Sequence, residues 1–274
     1  MNTMLRHTLI LLSSVILFAA CQKNSITGRQ QLLLVSESEL QQMSTQQYRS
    51  FLSQNKVVAN TGNKDAEMVS RVGVRISTAI TYYYTKQGKA DLLKGYKWEF
   101  HLVDDKSVNA WCMPGGKVVV YTGLMPVAQN ENALAVVMGH EIAHAIAQHG
   151  NERMSQGLVQ ELGGVALSVA VANQPVATQN LFLNAYGIGS EVGAVLPFSR
   201  KQELEADHYG LIFSAMAGYN PQEAITFWER MAKISESGNA PPEFLSTHPS
   251  DETRIKKVKE YVLEAMKYYQ PTVR

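Results

Sequence analysis

Two histidines with a glutamate between them form the string most informative about chemistry in this 274-residue chain, His140-Glu141-Ile142-Ala143-His144. Residues four apart lie on one face of an α-helix, so both imidazoles can reach a single Zn²⁺ at about 2.0–2.1 Å. The carboxylate between them is placed to act on a water at that metal. The apolar segment 132–139 is typical of the first half of a buried helix, where a glutamate flanked by two histidines is costly without a metal or a partner. The string therefore predicts a zinc site on a core helix.

A catalytic zinc takes three protein ligands and leaves one position for water, so a third ligand is needed. Metzincins place a glycine three residues and a histidine six residues after the second histidine. Here those positions are Ala147 and Gly150, which excludes that class. His149 falls off the metal-facing side of a continuing helix, and we interpret it as a surface or helix-end residue.

The string Ser199–Gly210 offers carboxylates for the third position. Glu203 and Asp207 are four apart and share a helix face, whereas Glu205 points roughly to the opposite side. Ala206 is small enough to let this helix pack tightly on the first. We expect Glu203 to ligate the metal and Asp207 to accept a hydrogen bond from a ligand histidine, which fixes the imidazole tautomer. Taken alone, such a pair is more often a solvated helix face; the upstream string favours the metal site.

Together these strings resemble peptidase family M48, which includes the CaaX-prenyl proteases, the heat-shock membrane proteases and periplasmic lipoprotein proteases. The resemblance is to the lipoprotein branch and extends over most of the chain after residue 20. It implies a metalloendopeptidase with one Zn²⁺ per chain and Glu203 as the third ligand. The segments that carry it are His140–His144, Ser199–Asp207, Thr247-His248-Pro249, Ser107–Gly116, Lys117–Leu124, Ile26–Leu32 and Ala217–Pro221.

The reaction that the resemblance implies is metal-assisted hydrolysis of a peptide bond, with Glu141 as general base. Asn109 and Ala110 are expected on an edge strand that pairs with an extended substrate, which would favour unfolded segments. His248 has three alternatives. It resembles a switch residue that takes the fourth zinc position and keeps the enzyme latent, or it stabilises the oxyanion, or it caps the next helix. Arg254 either contacts the site or is an ordinary structural arginine.

The first twenty residues have the pattern of a lipoprotein signal peptide. An apolar stretch of roughly ten residues, Leu9–Phe18, follows a short basic segment and is too short to span a bilayer comfortably. Small residues then precede Cys21. We expect acylation of Cys21, a lipidated tether over residues 21–35 and a place in the cell envelope. Gln22 instead of Asp after the cysteine favours the outer membrane, facing the periplasm. An ordinary signal peptide with an incidental cysteine is the alternative.

Composition excludes other classes of function. Without residues 1–20, which hold Arg6, the 25 basic side chains fall to 24, against 24 acidic ones. A neutral protein lacks the basic field that nucleic-acid binding needs. If Cys21 is acylated, Cys112 has no partner within the monomer, and we interpret it as a small buried hydrophobe. No later run reaches the about 18 apolar residues of a membrane helix, unlike the multi-spanning M48 members.

The periodicity predicts a predominantly helical α+β fold of the zincin-like (gluzincin) type with a small β-sheet, in one peptidase domain over residues 36–274. An insertion at about 157–198 is either a packed helical pair or a mobile lid. Helices are expected at 36–54, opened by a capping box at Ser36–Glu39, and at 64–86, 131–149, 199–217, 221–236 and 250–268, with strands at 98–102 and 118–121.

The sequence thus predicts a lipid-anchored zinc metalloendopeptidase of the cell envelope that hydrolyses misfolded or unfolded envelope proteins. Its expected partners are those proteins, the membrane through the anchor and, as a candidate, the outer-membrane assembly machinery. One alternative is a latent or non-proteolytic chaperone or binding protein with a zinc fold. Another is a zinc hydrolase for a non-peptide bond, against which the edge strand argues.

Overall fold

The computed structural model describes residues 21–162, 176–188, 199–236, 243–248 and 252–271. Helices predominate beside a small sheet, which confirms the predicted α+β class. The strands are β1 Cys21–Lys23, β2 Gln30–Leu32, β3 Glu99–Val103, β4 Ala110–Met113 and β5 Lys117–Tyr121. The helices are α1 Glu37–Gln54, α2 Lys64–Lys86, α3 Met125–Ala128, α4 Glu131–Ile146, α5 His149–Leu162, α6 Val176–Ala185, α7 Arg200–Met216, α8 Glu223–Glu236, α9 Glu243–Thr247 and α10 Glu252–Ala265, with short 3₁₀ turns at Ala90–Leu93 and Thr122–Leu124.

Side-chain caps fix where the main helices begin. The capping box predicted at Ser36–Glu39 is confirmed at the start of α1. On α4 the Asn130 side chain accepts a hydrogen bond from the backbone N–H of Ala133 (3.0 Å). On α7, Ser199 and Gln202 form a second capping box. Because a cap satisfies backbone donors that the first turn leaves unpaired, the sequence sets the start of both α4 and α7.

The sheet has the order β3-β5-β4, with β3 parallel and β4 antiparallel to β5. Successive side chains of a strand point to opposite faces, so the sheet separates two apolar cores. One core includes Phe100, Leu102, Val118 and Val120 and packs against α2 and α4. The other includes Trp111, Met113 and Val119 and packs against α1, α5 and α6.

The helix of the first histidine string is shorter than predicted. We expected it to reach residue 149, but α4 ends at Ile146 and α5 starts at His149. Gln148 has φ +54°, the left-handed conformation that interrupts a right-handed helix. The carbonyl oxygen of Ala147 accepts hydrogen bonds from the side chains of Asn24 (2.9 Å) and Gln31 (3.0 Å). A distant segment therefore ends the helix, which local sequence could not indicate.

That distant segment is the one predicted to be a tether, and residues 21–35 are not a free linker. Strands β1 and β2 pair antiparallel, and the hairpin packs on the end of α4. Asn24 and Gln31 are 7% and 1% exposed. Their amides bond to the domain, and burying them without such partners would be costly. Cys21 itself is exposed. The signal peptide predicted over residues 1–20 lies outside the described residues.

Part of the insertion at 157–198 is a packed helical pair. Helix α5 extends into it and packs on α6, where Gly157 faces Leu181. Residues 163–175 and 189–198 lie outside the described residues, so the lid alternative stays a prediction. Among the residues that the structure describes, none of the helices has both the length and the apolar character to cross a membrane.

Helices α4 and α7 come into close backbone contact at a pair of glycines. A Cβ on Gly139 would lie 2.6 Å from the carbonyl oxygen of Gly210. A Cβ on Gly210 would lie 2.7 Å from the backbone nitrogen of His140. Ser214 donates a hydrogen bond across the same contact to the carbonyl oxygen of Ala135 (2.7 Å). We predicted that Ala206 permits this packing; Ala206 is fully buried, and the two glycines add a close backbone contact.

We expect Gly210→Ala to destabilise the protein by about 1–3 kcal/mol, the usual cost of overpacking, because the methyl group would meet backbone that cannot move aside. Gly157→Ala on α5 is the matched control. Its methyl group meets a leucine side-chain carbon, which can rotate away, and both variants gain helix propensity equally. Thermal unfolding of the two proteins measures the difference. Equal midpoints would show that the glycine contact is not a packing constraint.

Candidate metal centre and active site

Helix α4 presents the first histidine string inside the protein. His140, Glu141 and His144 are each 3% exposed, so the prediction of a buried helix is confirmed. Burial raises the pKa of Glu141 because a carboxylate loses solvation there. Among the described residues, Glu141 Oε1 finds no hydrogen-bond partner. A buried acceptor with a raised pKa is suited to taking up a proton.

Helix α7 brings Glu203 to the two histidines. Glu203 Oε1 lies 3.3 Å from His144 Nε2, and Oε2 lies 3.5 Å from His140 Nε2. The two imidazole Nε2 atoms are 3.0 Å apart. Since at most one nitrogen of such a pair can carry a hydrogen between them, a lone pair points into the cluster. The structure thus brings together the three residues that the sequence singled out.

His248 completes a group of four metal-binding side chains. Its Nδ1 lies 2.9 Å from Glu203 Oε1 and 3.2 Å from His140 Nε2, and the four donor atoms all lie within 4.8 Å of one another. A tetrahedral zinc with bonds of about 2.0–2.1 Å places its donors about 3.4 Å apart. The contacts of 2.9–3.5 Å between neighbouring members of the group are close to that spacing. The imidazole faces the cluster, a position that both the fourth-position and the oxyanion alternatives require.

Asp207 and Arg254 contact the candidate metal ligands and are not themselves part of the group of four. Asp207 Oδ1 lies 2.9 Å from His140 Nδ1, next to the atom predicted to donate to it, although the pair does not have hydrogen-bond geometry in this conformation. Arg254 is 1% exposed and donates to both Asp207 oxygens at 2.7 and 2.9 Å. Its Nη1 lies 2.6 Å from Glu203 Oε2, and its guanidinium stacks on the Trp228 ring at 4.1 Å. Of the two alternatives for Arg254, the structure selects contact with the site.

Charge pairing decides the ionisation of these buried groups. Burial opposes ionisation of Glu203, but Arg254 and the neighbouring histidines outweigh it and hold the pKa of Glu203 well below its usual range. Burial likewise opposes ionisation of Asp207, and Arg254 again lowers the pKa. Both carboxylates are therefore charged at neutral pH, one able to bind a cation and the other able to accept from His140.

His149 and Glu205 are site residues that the sequence reasoning missed. His149 is at a helix end, as expected, but it is fully buried. Its Nδ1 lies 2.9 Å from His144 Nδ1, and its Nε2 lies 2.9 Å from Glu205 Oε2. Glu205 does point away from the metal cluster, but it contacts His149, which in turn contacts His144. The signal was the first histidine after the string, which we discarded because we assumed that the helix continued.

The predicted substrate strand is at the edge of the sheet. Ala110 begins β4, which pairs with β5 on one side, and Asn109 precedes it. The carbonyl oxygen of Asn109 accepts from the N–H of Tyr121 (3.1 Å), so the backbone of Ala110 faces the outer edge. Cys112 on the same strand is 4% exposed, consistent with a small buried hydrophobe.

Two histidines one turn apart, a glutamate from a second helix and a carboxylate between the histidines define a metallopeptidase site of the gluzincin type. Residues 87–262 match Peptidase family M48, and the chain belongs to this family, as its sequence indicated.

Curated relatives include the mitochondrial metalloendopeptidase OMA1 of Saccharomyces cerevisiae, 36% identical over 185 residues that cover 65% of this chain and 51% of the relative. Human OMA1 is 29% identical over 263 residues, 94% of this chain and 49% of the relative. The beta-barrel assembly-enhancing protease of Escherichia coli is 32% identical over 165 residues, 58% of this chain and 33% of the relative. The chain thus spans about half the length, or less, of these relatives.

We expect Arg254→Met to cost about 3–5 kcal/mol of stability in the metal-free protein, because it leaves two buried carboxylates without their cation. Lys257→Met on the same helix is the control, since Lys257 pairs with Glu260 at an exposed position and should change stability by less than about 0.5 kcal/mol. Denaturant unfolding in the presence of a chelator measures both. A similar small effect in the two variants would contradict the role of Arg254.

Proposed function

We propose that this protein is a zinc-dependent metalloendopeptidase that hydrolyses peptide bonds of unfolded proteins. The observation that carries the proposal is the buried group His140, His144, Glu203 and His248, with the Glu141 carboxylate beside it, 3.5 Å from His248 Nε2. Imidazole and carboxylate donors within 4.8 Å of one another suit Zn²⁺. Membership of family M48 supports the activity. Bound zinc would supply Lewis-acid polarisation of the scissile carbonyl and would acidify a water.

Glu141 is the residue placed to move the proton. It lies one residue from His140 on α4, so its carboxylate is held beside the metal ligands by the rigid helix. The raised pKa caused by burial matches a group that accepts a proton from water and then returns it to the leaving amine. Asp207 and Arg254 keep His140 and Glu203 in place and do not contact the reacting atoms.

The proposed substrate pairs with the outer edge of β4. In this structure, backbone groups along that edge are already hydrogen-bonded within the protein. The N–H of Ala110 is bonded to Asn109 Oδ1 (2.8 Å). The carbonyl oxygen of Val108 accepts from the N–H of Phe244 on α9 (3.1 Å). A substrate that adds a strand there needs such backbone groups. It would therefore have to displace the Asn109 side chain and α9.

The same helix α9 holds His248 against the metal ligands. The N–H of His248 is bonded to the carbonyl oxygen of Phe244 (2.8 Å), and the two rings stack at 4.5 Å. A histidine in the fourth position excludes both water and a substrate carbonyl. We infer that the conformation described is latent, and that displacement of α9 opens the strand edge and the fourth position together. Under the non-proteolytic alternative, the protein has this same structure but α9 is never displaced.

We expect Glu141→Gln to abolish proteolysis of an unfolded substrate such as casein while zinc binding and folding persist, because the base is lost and the zinc ligands remain. Glu203→Ala should instead lose zinc and activity together. Peptide release and metal content are measured on the same preparations. Substantial turnover by zinc-loaded Glu141→Gln would exclude Glu141 as the general base. Wild-type protein that binds zinc but never cleaves would favour the non-proteolytic alternative, and an esterase or amidase activity alone would favour the non-peptide hydrolase.

We expect His248→Ala to cleave casein faster than the wild-type protein, because the fourth position becomes open while three zinc ligands remain. His208→Ala is the control, since His208 pairs with Glu264 away from the cluster. Initial rates and zinc content are compared at equal protein concentration. If His248 stabilised the oxyanion, its removal would instead lower turnover by about 100–1,000-fold. A fall in rate without loss of zinc would therefore contradict the latent state.

We propose further that the protein is a lipoprotein of the cell envelope, anchored through Cys21 at the outer membrane and facing the periplasm, where it removes misfolded envelope proteins. The exposure of Cys21 on the packed hairpin supports an anchor close to the folded domain. The Escherichia coli relative is a beta-barrel assembly-enhancing protease, which supports the outer-membrane assembly machinery as a partner. The OMA1 relatives are mitochondrial, so the compartment is inferred from the N-terminal pattern.

We expect wild-type protein expressed in bacteria to incorporate an alkyne-labelled fatty acid and to sediment with the outer-membrane fraction. Cys21→Ser should lose the label, because the residue proposed to be acylated is gone. Cys112→Ser, which changes the buried cysteine, is the control and should keep the label. Label on Cys21→Ser would refute the lipid anchor at Cys21.

A further inference from the structure

The two zinc-binding histidines of α4 are supported in different ways. Beyond its ligand contacts, His140 has a carboxylate directly behind it, with Asp207 Oδ1 2.9 Å from Nδ1. His144 has another histidine behind it, with His149 Nδ1 2.9 Å from His144 Nδ1. A neutral imidazole can accept as well as donate, so His149 can hold His144 in the right tautomer only if something fixes the tautomer of His149.

A carboxylate provides that constraint. Glu205 Oε2 lies 2.9 Å from His149 Nε2, and an ionised carboxylate can only accept hydrogen bonds. His149 must therefore carry its hydrogen on Nε2, which leaves a lone pair on Nδ1. That lone pair accepts from His144 Nδ1–H. The Nε2 of His144 then carries no hydrogen and can bind the metal. The direction of every bond follows from the charge of Glu205.

Arg29 of the N-terminal hairpin holds Glu205 in place. Its Nε and Nη2 donate to Glu205 at 2.8 and 3.1 Å, and its Nη1 and Nη2 donate to Glu152 at 2.5 and 2.7 Å. The side chains of Arg29, Glu205 and Glu152 are 13%, 15% and 8% exposed. Such bidentate pairs orient both partners. The hairpin is fastened separately by Asn24 and Gln31 at Ala147.

We propose that Arg29, Glu205 and His149 form a hydrogen-bond relay that fixes the tautomer and orientation of His144, so that the N-terminal hairpin is part of the metal centre. The inference rests on the proposed zinc site, and it makes the three residues positioning residues. A hairpin that begins at the proposed lipid anchor thereby sets the metal affinity of the peptidase.

Zinc affinity of the purified full chain, measured by competition with a chromophoric chelator, tests the relay. His149→Ala and Glu205→Ala should weaken zinc binding by about 10–100-fold, as loss of the partners behind a ligand does, and Arg29→Ala should weaken it by about 10-fold. Glu264→Ala is the matched control. It removes the same kind of histidine–carboxylate pair, His208–Glu264 at 2.9 Å, also made by α7, and should leave affinity unchanged.

Two further measurements separate positioning from general damage. Because the relay acts in series, Arg29→Ala combined with His149→Ala should bind zinc no more weakly than His149→Ala alone, whereas independent effects would add. In the metal-free protein, ¹⁵N spectra of the imidazoles should show His144 protonated on Nδ1, and Glu205→Ala should produce a mixture of tautomers. Glu205→Gln keeps the shape of the side chain, but its amide can donate as well as accept and so no longer forces the hydrogen onto His149 Nε2; it replaces Glu205→Ala if the latter fails to fold.

Relay variants with wild-type zinc affinity, or additive losses in the double variant, would overturn the relay. Either result would leave the zinc site standing, because the wild-type protein and the Glu264→Ala control would still bind zinc. Failure of the proposed function looks different, since wild-type protein itself would then bind no zinc or would cleave no protein. The two proposals can therefore fail separately.

Discussion

The contact between Gly139 and Gly210 is the constraint on which the site depends. Because neither residue has a Cβ, the backbones of α4 and α7 approach closely enough for a Cβ on Gly210 to lie 2.7 Å from the nitrogen of His140. Glu203 lies two turns before Gly210, and His140 directly follows Gly139. The close crossing therefore brings a carboxylate to within 3.5 Å of the two histidines. Larger residues would separate the helices, and the same side chains would then not share a metal.

The concentration of charge at this crossing is acceptable because each charge has a partner. Glu203 and Asp207 are buried, and Arg254 binds both. Unpaired buried carboxylates would take up protons, and a protonated Glu203 would be a poor metal ligand. Arg254 therefore does more than brace the fold, since it keeps the metal-binding form of Glu203 in a dry site. Arg254 lies on α10, which follows His248 in the chain. The residue proposed to keep the enzyme latent is therefore close in sequence to the arginine that pairs with both carboxylates.

The active site extends farther than the family motifs. The N-terminal hairpin ends α4 through Asn24 and Gln31 at the carbonyl of Ala147. By ending the helix there, it lets the chain turn so that His149 folds back against His144. Arg29 of the same hairpin then reaches Glu205. The segment next to the proposed anchor is thus connected to a metal ligand by direct contacts, and a mobile tether would lack this connection.

The sequence by itself determined what depends on local spacing: the pair His140 and His144 on one helix face, the carboxylates of α7 and the caps that begin the main helices. Helical periodicity and capping act over a few residues, so they can be predicted from one chain. Only the tertiary structure decided the early end of α4, the inward position of His149 and the selection of Arg254 as a site residue. Each of these depends on partners far away in the chain, such as Gln31 for Ala147, and no local pattern encodes which distant groups will meet.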